Sequence, residues 1–264
     1  MSLQSTMGAS SSEKSGESEA VVLVKAAPQV GSTHGETVCC AALDLSGNWL
    51  RLYPIQFRHL EDAQKFSRWH RISFRWRKPS RDLRPESRHV DQDSIRIVGK
   101  LKRADQARFL AGSVVTNLKA ERELGRSLAL LRVRVHEFRI EPKEASEIDA
   151  QKREFAALRD QQDMFRTNHL IPYEPAPYKF KYRYSSDDGE HFGTCQDWEM
   201  EATFFKWSKR YGVERALGEM QHVFGERYPQ GGMLLAMGTH SQYPDTWLIN
   251  GVIRFEESSQ LSLL

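Results

Sequence analysis

The stretch Trp69–Lys78, with the sequence WHRISFRWRK, carries the clearest fold signal in the chain. Large apolar and polar side chains alternate along it, with Ile72, Phe74 and Trp76 set against Ser73, Arg75 and Arg77. A period of two residues is typical of a β-strand with one face in the core. We therefore predict a strand whose apolar face is buried and whose arginines face outward.

Comparable alternation or apolar runs on both sides predict further strands, at Ala20–Ala26, Thr37–Asp44, Trp49–Pro54, Ser94–Leu101, Ser127–Ile140, Tyr178–Tyr184, Met233–Met237 and Leu248–Phe255. Helical spacing or flanking helix signals predict helices at Ala104–Leu124, Ala145–Met164, Gln196–Tyr211 and Val213–Arg227. Several hairpins and few helices indicate an α+β fold. We expect a mixed, mostly antiparallel, barrel-like sheet flanked by helices.

The bulk composition is typical of a soluble protein. The 264 residues are 39% hydrophobic, which is enough for a core, and no apolar run approaches the roughly 20 residues of a membrane span. The three cysteines do not suggest a disulfide framework, so we expect a cytoplasmic protein. Residues 1–19 are predicted to be a disordered tail, and residues 20–264 a single domain. The oligomeric state is not indicated.

Arginine is concentrated between residues 71 and 103, where 11 basic residues face 4 acidic ones. Guanidinium groups match phosphate geometry, and interleaved aromatic side chains stack on bases. We predict a DNA-binding surface with these members: Arg51, Tyr53, Arg58, Arg75, Trp76, Arg77, Arg81 and Arg84. The alternative is a solvated strand face without a ligand.

Two histidine-containing loops are candidates for chemistry. In the first, His191, Cys195 and Asp197 supply a base, a nucleophile and an orienting carboxylate within a short stretch. Its alternative is a capped helix beside an inert Cys195. In the second, His240 lies between two apolar strands in a segment that either binds a ligand or bonds to its own backbone.

Cys39 and Cys40 form a further candidate, because strand alternation lets only one of them face a pocket. The alternative is a strand cysteine that belongs to the core. The predicted catalytic set is therefore Cys39, His191, Cys195, Asp197 and His240. The chain has no Cys-x-x-Cys pair, phosphate-binding loop, nucleophile elbow or dinucleotide fingerprint. We expect neither a metal nor a cofactor.

Several short motifs follow one another along the chain, among them Glu36-Thr37-Val38-Cys39, Trp49-x-Arg51-Leu52-Tyr53-Pro54, Arg84-Pro85-Glu86-Ser87, Asp197-Trp198-Glu199 and Gly238-x-His240-x-x-x-Pro244. Their order resembles that in a family of poorly characterised bacterial and archaeal proteins. The chain is similar to the DpdC proteins of the bacterial system that places 7-deazaguanine bases in DNA. This resemblance implies hydration of a 7-cyano base to its 7-amide, an activity of the nitrile hydratase type associated with defence.

Two other functions remain open at this point. A non-catalytic module that binds modified bases or RNA needs the arginines and aromatic residues but not the histidines. A defence-associated nuclease needs clustered carboxylates to hold Mg²⁺. The acidic residues that would supply them are Asp187, Asp188, Glu190, Asp197 and Glu199.

Overall fold

The computed structural model of the protein describes residues 14–31, 35–163, 173–240 and 243–255. The first part of the chain supplies one sheet. Its strands are β1 (Ser15–Lys25), β2 (Gln29–Gly31), β3 (Gly35–Asp44), β4 (Trp49–Ile55), β5 (His70–Arg77), β6 (Ser87–Val90) and β7 (Arg96–Lys100).

Five of these strands close into a barrel, because β1 pairs with both β3 and β5. The circular order is β1-β3-β4-β6-β5, and all neighbours are antiparallel except β4 and β6. Numbered along the chain, the third and fifth barrel strands are thus adjacent and parallel. This Greek-key order is that of the OB-fold, a small five-stranded barrel.

The second part of the chain forms another sheet, in the order β10-β11-β12-β14-β13-β9-β8. Its strands are β8 (Val114–Val115), β9 (Leu128–Arg132), β10 (Arg134–Pro142), β11 (Tyr178–Ser186), β12 (Gly189–Cys195), β13 (Met233–Thr239) and β14 (Trp247–Arg254). The α+β class and the mixed, barrel-like sheet are confirmed, with the strands divided between two sheets.

The described helices are short apart from two. They are α1 (Arg103–Leu110), α2 (Leu118–Glu123), α3 (Ala145–Asp163), α4 (Trp198–Tyr211), α5 (Val213–Met220) and α6 (Tyr228–Gln230), with a π-helical stretch at Gln221–Arg227. Asp197 caps α4, and Gly212, with a φ of 85°, separates α4 from α5. None of the helices in the described ranges is long and apolar enough to cross a membrane.

The two sheets share a layer of core. Outward-facing Val21 and Leu23 of β1 pack with Leu130 of β9, Leu234 of β13 and Ile253 of β14. Alternation along β5 is as predicted, since Ile72, Phe74 and Trp76 fill the barrel while Arg75 and Arg77 are exposed. The barrel is thus filled by its own side chains, and its outer β1–β3 surface is held against the second sheet.

Four details differ from the expectations. Strand β1 begins at Ser15, so residues 15–19 are not a tail, and residues 1–13 lie outside the described ranges. The predicted helix at residues 104–124 is α1 and α2, with the short β8 between them. The predicted strand at residues 127–140 is divided into β9 and β10, which lie towards opposite edges of the sheet. His191 lies within β12 and not in a loop.

Candidate functional site

A cleft of about 880 Å³ lies between the barrel and the second sheet. On the barrel side it is lined by β3, β4 and the two loops that follow β1 and β5. On the other side it is lined by Gln196, which follows β12, by the end of β13 and by the first half of β14. The residues that line the cleft include Gln29, Cys39, Arg51, Tyr53, Arg81, Leu83, Arg84, Gln196, His240 and Asn250.

An irregularity in the β3–β4 ladder presents Cys39 and Tyr53 to this cleft. Cys40 pairs with Leu52 and Val38 with Ile55, so Tyr53 and Pro54 both lie opposite Cys39. Cys40 is buried in the barrel, whereas Cys39 is partly exposed and lines the cleft. The expectation that only one of the two cysteines faces a pocket is confirmed. Tyr53 is 37% exposed, which leaves its ring accessible.

A buried cation lies beneath Cys39. Arg51 is only 4% exposed, and its Nη1 donates to Cys39 Sγ at 3.9 Å. Its Nη2 donates to the carbonyl oxygen of Ser127 at 2.8 Å and to Ser127 Oγ at 3.1 Å. Buried Glu86 accepts from Ser127 N at 2.7 Å and from Ser127 Oγ at 2.9 Å. This network joins two barrel strands to the start of β9 under the cleft.

The loop between β5 and β6 is held by Arg84. Its Nε and Nη2 donate to the two carboxylate oxygens of Asp82 at 2.8 and 2.7 Å, and its Nη1 donates to the carbonyl oxygen of Thr239 at 2.9 Å. Burial by itself raises the pKa of Asp82, but hydrogen bonds from Arg84 and Ser87 hold that pKa below its usual value. Arg84 therefore fastens the loop across the cleft, while Arg81 and Leu83 are exposed.

His240 enters the same cleft from the second sheet. Its Nδ1 accepts from the backbone N–H of Tyr243 at 3.2 Å, and its ring stacks on the Tyr243 ring with the two centroids 5.1 Å apart. A neutral imidazole that accepts at Nδ1 carries its proton on Nε2. In that form Nε2 is the nitrogen that can donate a hydrogen bond, in a cleft that also contains a thiol.

The first histidine segment does not join this site. His191 Nε2 lies 3.1 Å from Asp188 Oδ1, and its ring stacks on Tyr184. Cys195 lies in the core of the second sheet, where burial raises the pKa of its thiol well above the usual range. Their proximity in sequence therefore does not make a catalytic pair.

Asp197 has a structural role in place of the predicted one. Its Oδ1 accepts from Glu199 N at 2.9 Å, and its Oδ2 accepts from Arg68 Nη2 at 2.7 Å and Val252 N at 3.0 Å. The carboxylate caps α4 and neutralises a buried arginine. The expectation that it orients a histidine is wrong, because its oxygens contact these other groups.

The predicted DNA-binding residues separate into three groups. Arg51, Tyr53, Arg81 and Arg84 line the cleft. Arg58 donates to both oxygens of Glu36, and Arg75 and Arg77 contact Asp91 and His89 on another side of the barrel. Trp76 is not a stacking surface, because it is 4% exposed inside the barrel and its Nε1 donates to Ser18 Oγ at 2.8 Å.

The structure adds two carboxamides that the sequence reasoning missed, Gln196 and Asn250. A signal for Asn250 was present, since an Asn-Gly pair interrupts the apolar run of β14. Such a pair within a buried strand often marks a bulge. No comparable signal singles out Gln196.

The carboxylates proposed for Mg²⁺ are dispersed in the part of the chain that the structure describes. Asp197 and Glu199 contact Arg68, whereas Asp188 contacts Ser186 and His191. Within that part, no three His, Cys, Asp or Glu side chains are grouped as metal ligands.

Comparison with protein families divides the chain at the boundary between the two sheets. Residues 17–111, which include the barrel, match the model of a domain of unknown function, DUF8758. Residues 113–263, which include the second sheet, match the model of another domain of unknown function, DUF8757. No curated protein matches the chain. The second match spans more than half of the chain. The chain therefore belongs to the family described as domain of unknown function DUF8757.

Proposed function

We propose that the chain binds a DNA strand with one unstacked base in the cleft, and that it modifies this base. The observation that carries the proposal is the position of the cleft on the barrel. It lies over β3 and β4, between the loop after β1 and the loop after β5. In OB-fold barrels the corresponding strands and loops bind oligonucleotides.

The side chains of the cleft suit a single strand. Tyr53 is an accessible ring for stacking, and exposed Leu83 and Arg81 lie on the neighbouring loop. Aromatic stacking and a cationic rim are the usual means of binding single strands without a fixed sequence. Outside the cleft, Arg58 and Arg75 are better accounted for by their ion pairs with Glu36 and Asp91.

Cys39, Arg51 and His240 support catalysis as well as binding. Arginine beside a partly exposed cysteine is one of the surroundings in which thiols act as nucleophiles. For the nitrile hydration that the DpdC resemblance implies, Cys39 Sγ would form a bond to the nitrile carbon. The thiol proton would end on the nitrile nitrogen, and His240 would act as the hydrogen-bond donor to that nitrogen.

The thioimidate formed in this way has a simple fate. Water adds to its carbon, the C–S bond breaks with its electron pair going to sulfur, and sulfur regains a proton. The product is the amide, and the net reaction is the addition of one water to the nitrile. A target base has to leave the stack to reach Cys39, as in other enzymes that act on bases.

Binding is tested by titrating labelled single-stranded oligonucleotides against the wild type and two variants. Tyr53→Ala is expected to weaken binding by roughly 5- to 150-fold, since stacking contributes about 1–3 kcal/mol per base. Tyr211→Ala is the matched control, because Tyr211 is 38% exposed and lies outside the cleft. Equal affinities for all three proteins would contradict the proposed interface.

Catalysis is tested on DNA that contains a 7-cyano-7-deazaguanine base, with mass spectrometry to detect the amide. Cys39→Ala is expected to bind this DNA but to form no product, whereas Cys195→Ala, if folded, retains activity. A wild type that binds but forms no amide would leave the non-catalytic binding module as the function.

All three cysteines are free, and we propose a cytoplasmic location on that ground.

A further inference from the structure

We infer that Asn250 and Gln196 determine which base the cleft accepts, by hydrogen bonding to the edge of that base. The inference rests on the proposed nucleic-acid binding and adds the residues that discriminate between bases. Both side chains line the cleft. Within the described ranges, neither carboxamide makes a side-chain hydrogen bond to the protein.

Asn250 is directed into the cleft by a bulge. In the β13–β14 ladder Ala236 pairs with Gly251 and Met237 with Ile249, which leaves Asn250 without a partner residue. Bulges change the direction of a side chain and are frequent beside binding sites. The half-buried carboxamide of Asn250 thereby lines the cleft opposite the barrel.

Gly238 lies against the carboxamide of Asn250 and has no side chain of its own. A Cβ added to Gly238 would lie 2.2 Å from Asn250 Nδ2 and 3.5 Å from Arg51 Nη2. The carboxamide of Asn250 therefore occupies space that any other residue at position 238 would fill. This fit places Asn250 beside the buried cation that contacts Cys39.

Gln196 is fixed next to Asn250 by its backbone. Its N–H donates to the carbonyl oxygen of Ile249 at 2.8 Å, and its own carbonyl oxygen accepts from Ala27 N at 2.8 Å. The main chain is thus bound to both sheets, while the side chain faces the cleft. Two carboxamides that line one cleft offer both donors and acceptors, the groups that Asn and Gln use to recognise base edges.

Three charged side chains of the cleft already make hydrogen bonds within the protein, whereas Arg81 is exposed. Asp82 accepts from Arg84 and Ser87, and Arg51 donates to Ser127 and Cys39. The carboxamides are therefore the polar groups of the cleft best suited to recognise a neutral base, while Tyr53 contacts its face.

The test measures binding of oligonucleotides that carry A, C, G or T at one position between abasic sites. The wild type is expected to prefer one base over the weakest by roughly 5- to 150-fold, the discrimination typical of a bidentate pair. Asn250→Ala and Gln196→Ala should each lower this ratio at least several-fold. Asn250→Asp, which keeps the shape and exchanges a donor for an acceptor, should change the order of preference.

Gln230→Ala is the matched control, because Gln230 is an exposed carboxamide outside the cleft, and thermal melting verifies that every variant is folded. If the folded variants keep the wild-type preference, or the wild type binds all four bases equally, the inference fails while nucleic-acid binding stands. If the wild type binds none of the oligonucleotides, the proposed function itself fails.

Discussion

Ser127→Ala tests the network that joins the two sheets beneath the cleft. Ser127 Oγ accepts from Arg51 Nη2 at 3.1 Å and donates to Glu86 Oε2 at 2.9 Å. The substitution removes both hydrogen bonds and leaves their charged partners buried. It does not alter a side chain that lines the cleft.

The size of the effect follows from these contacts. A hydrogen bond to a charged group contributes about 1.5–3 kcal/mol. Each charged partner keeps one bond to the backbone of Ser127, at 2.8 Å for Arg51 and 2.7 Å for Glu86, so the lower end of that range applies twice. We expect a loss of about 3 kcal/mol in the free energy of unfolding, which lowers Tm by roughly 6–12 °C for a chain of this size.

The assay is urea denaturation followed by tryptophan fluorescence, with Ser113→Ala as the control. Ser113 Oγ donates to the carbonyl oxygen of Gly47 at 3.4 Å, a neutral contact whose loss should cost less than about 1 kcal/mol. If both variants lose the same small amount, the network does not hold the sheets together and the reasoning is refuted.

Three more predictions follow from single contacts. Iodoacetamide should label only Cys39 in the native protein, because Cys40 and Cys195 are buried, and peptide mass spectrometry would show labelling of the others if this is wrong. Gly238→Ala should displace the Asn250 carboxamide and reduce base preference in the oligonucleotide assay, whereas an unchanged preference would contradict the close contact. Burial raises the pKa of Glu201, so the folded protein favours the protonated carboxyl and loses stability as pH rises through that pKa. Glu201→Gln cannot ionise, so its Tm relative to that of the wild type should be higher at about pH 8 than at about pH 4. A Tm difference that is the same at both pH values would exclude this titration.

Local patterns predicted most of the barrel. The alternation of Ile72, Phe74 and Trp76 with polar residues identified β5 and its buried face, and Gly212 correctly separated two helices. The division of residues 104–124 was missed, because helical spacing does not reveal where a chain leaves a helix to pair a two-residue strand. Tertiary pairing with β9 decides that segment.

The site was predicted in part, for a similar reason. Strand alternation indicated that one of Cys39 and Cys40 faces a pocket, but the ladder irregularity that presents Tyr53 beside Cys39 depends on pairing between strands. Proximity in sequence favoured a catalytic pair of His191 and Cys195. The Cys195 thiol is instead buried in the core of the second sheet, away from the cleft. Partners distant in sequence, such as Arg51 and Ser127, are set by the packing of the two sheets.

The central claim, that a nucleic-acid base lies in the cleft, is tested most directly by ultraviolet crosslinking to a bound single-stranded oligonucleotide. Peptide mass spectrometry then locates the crosslinked residue. The account predicts crosslinks at Tyr53 and at residues of the cleft around it. Crosslinks confined to exposed Phe192 on the second sheet, or to the segment with Arg75 and Arg77, would contradict it.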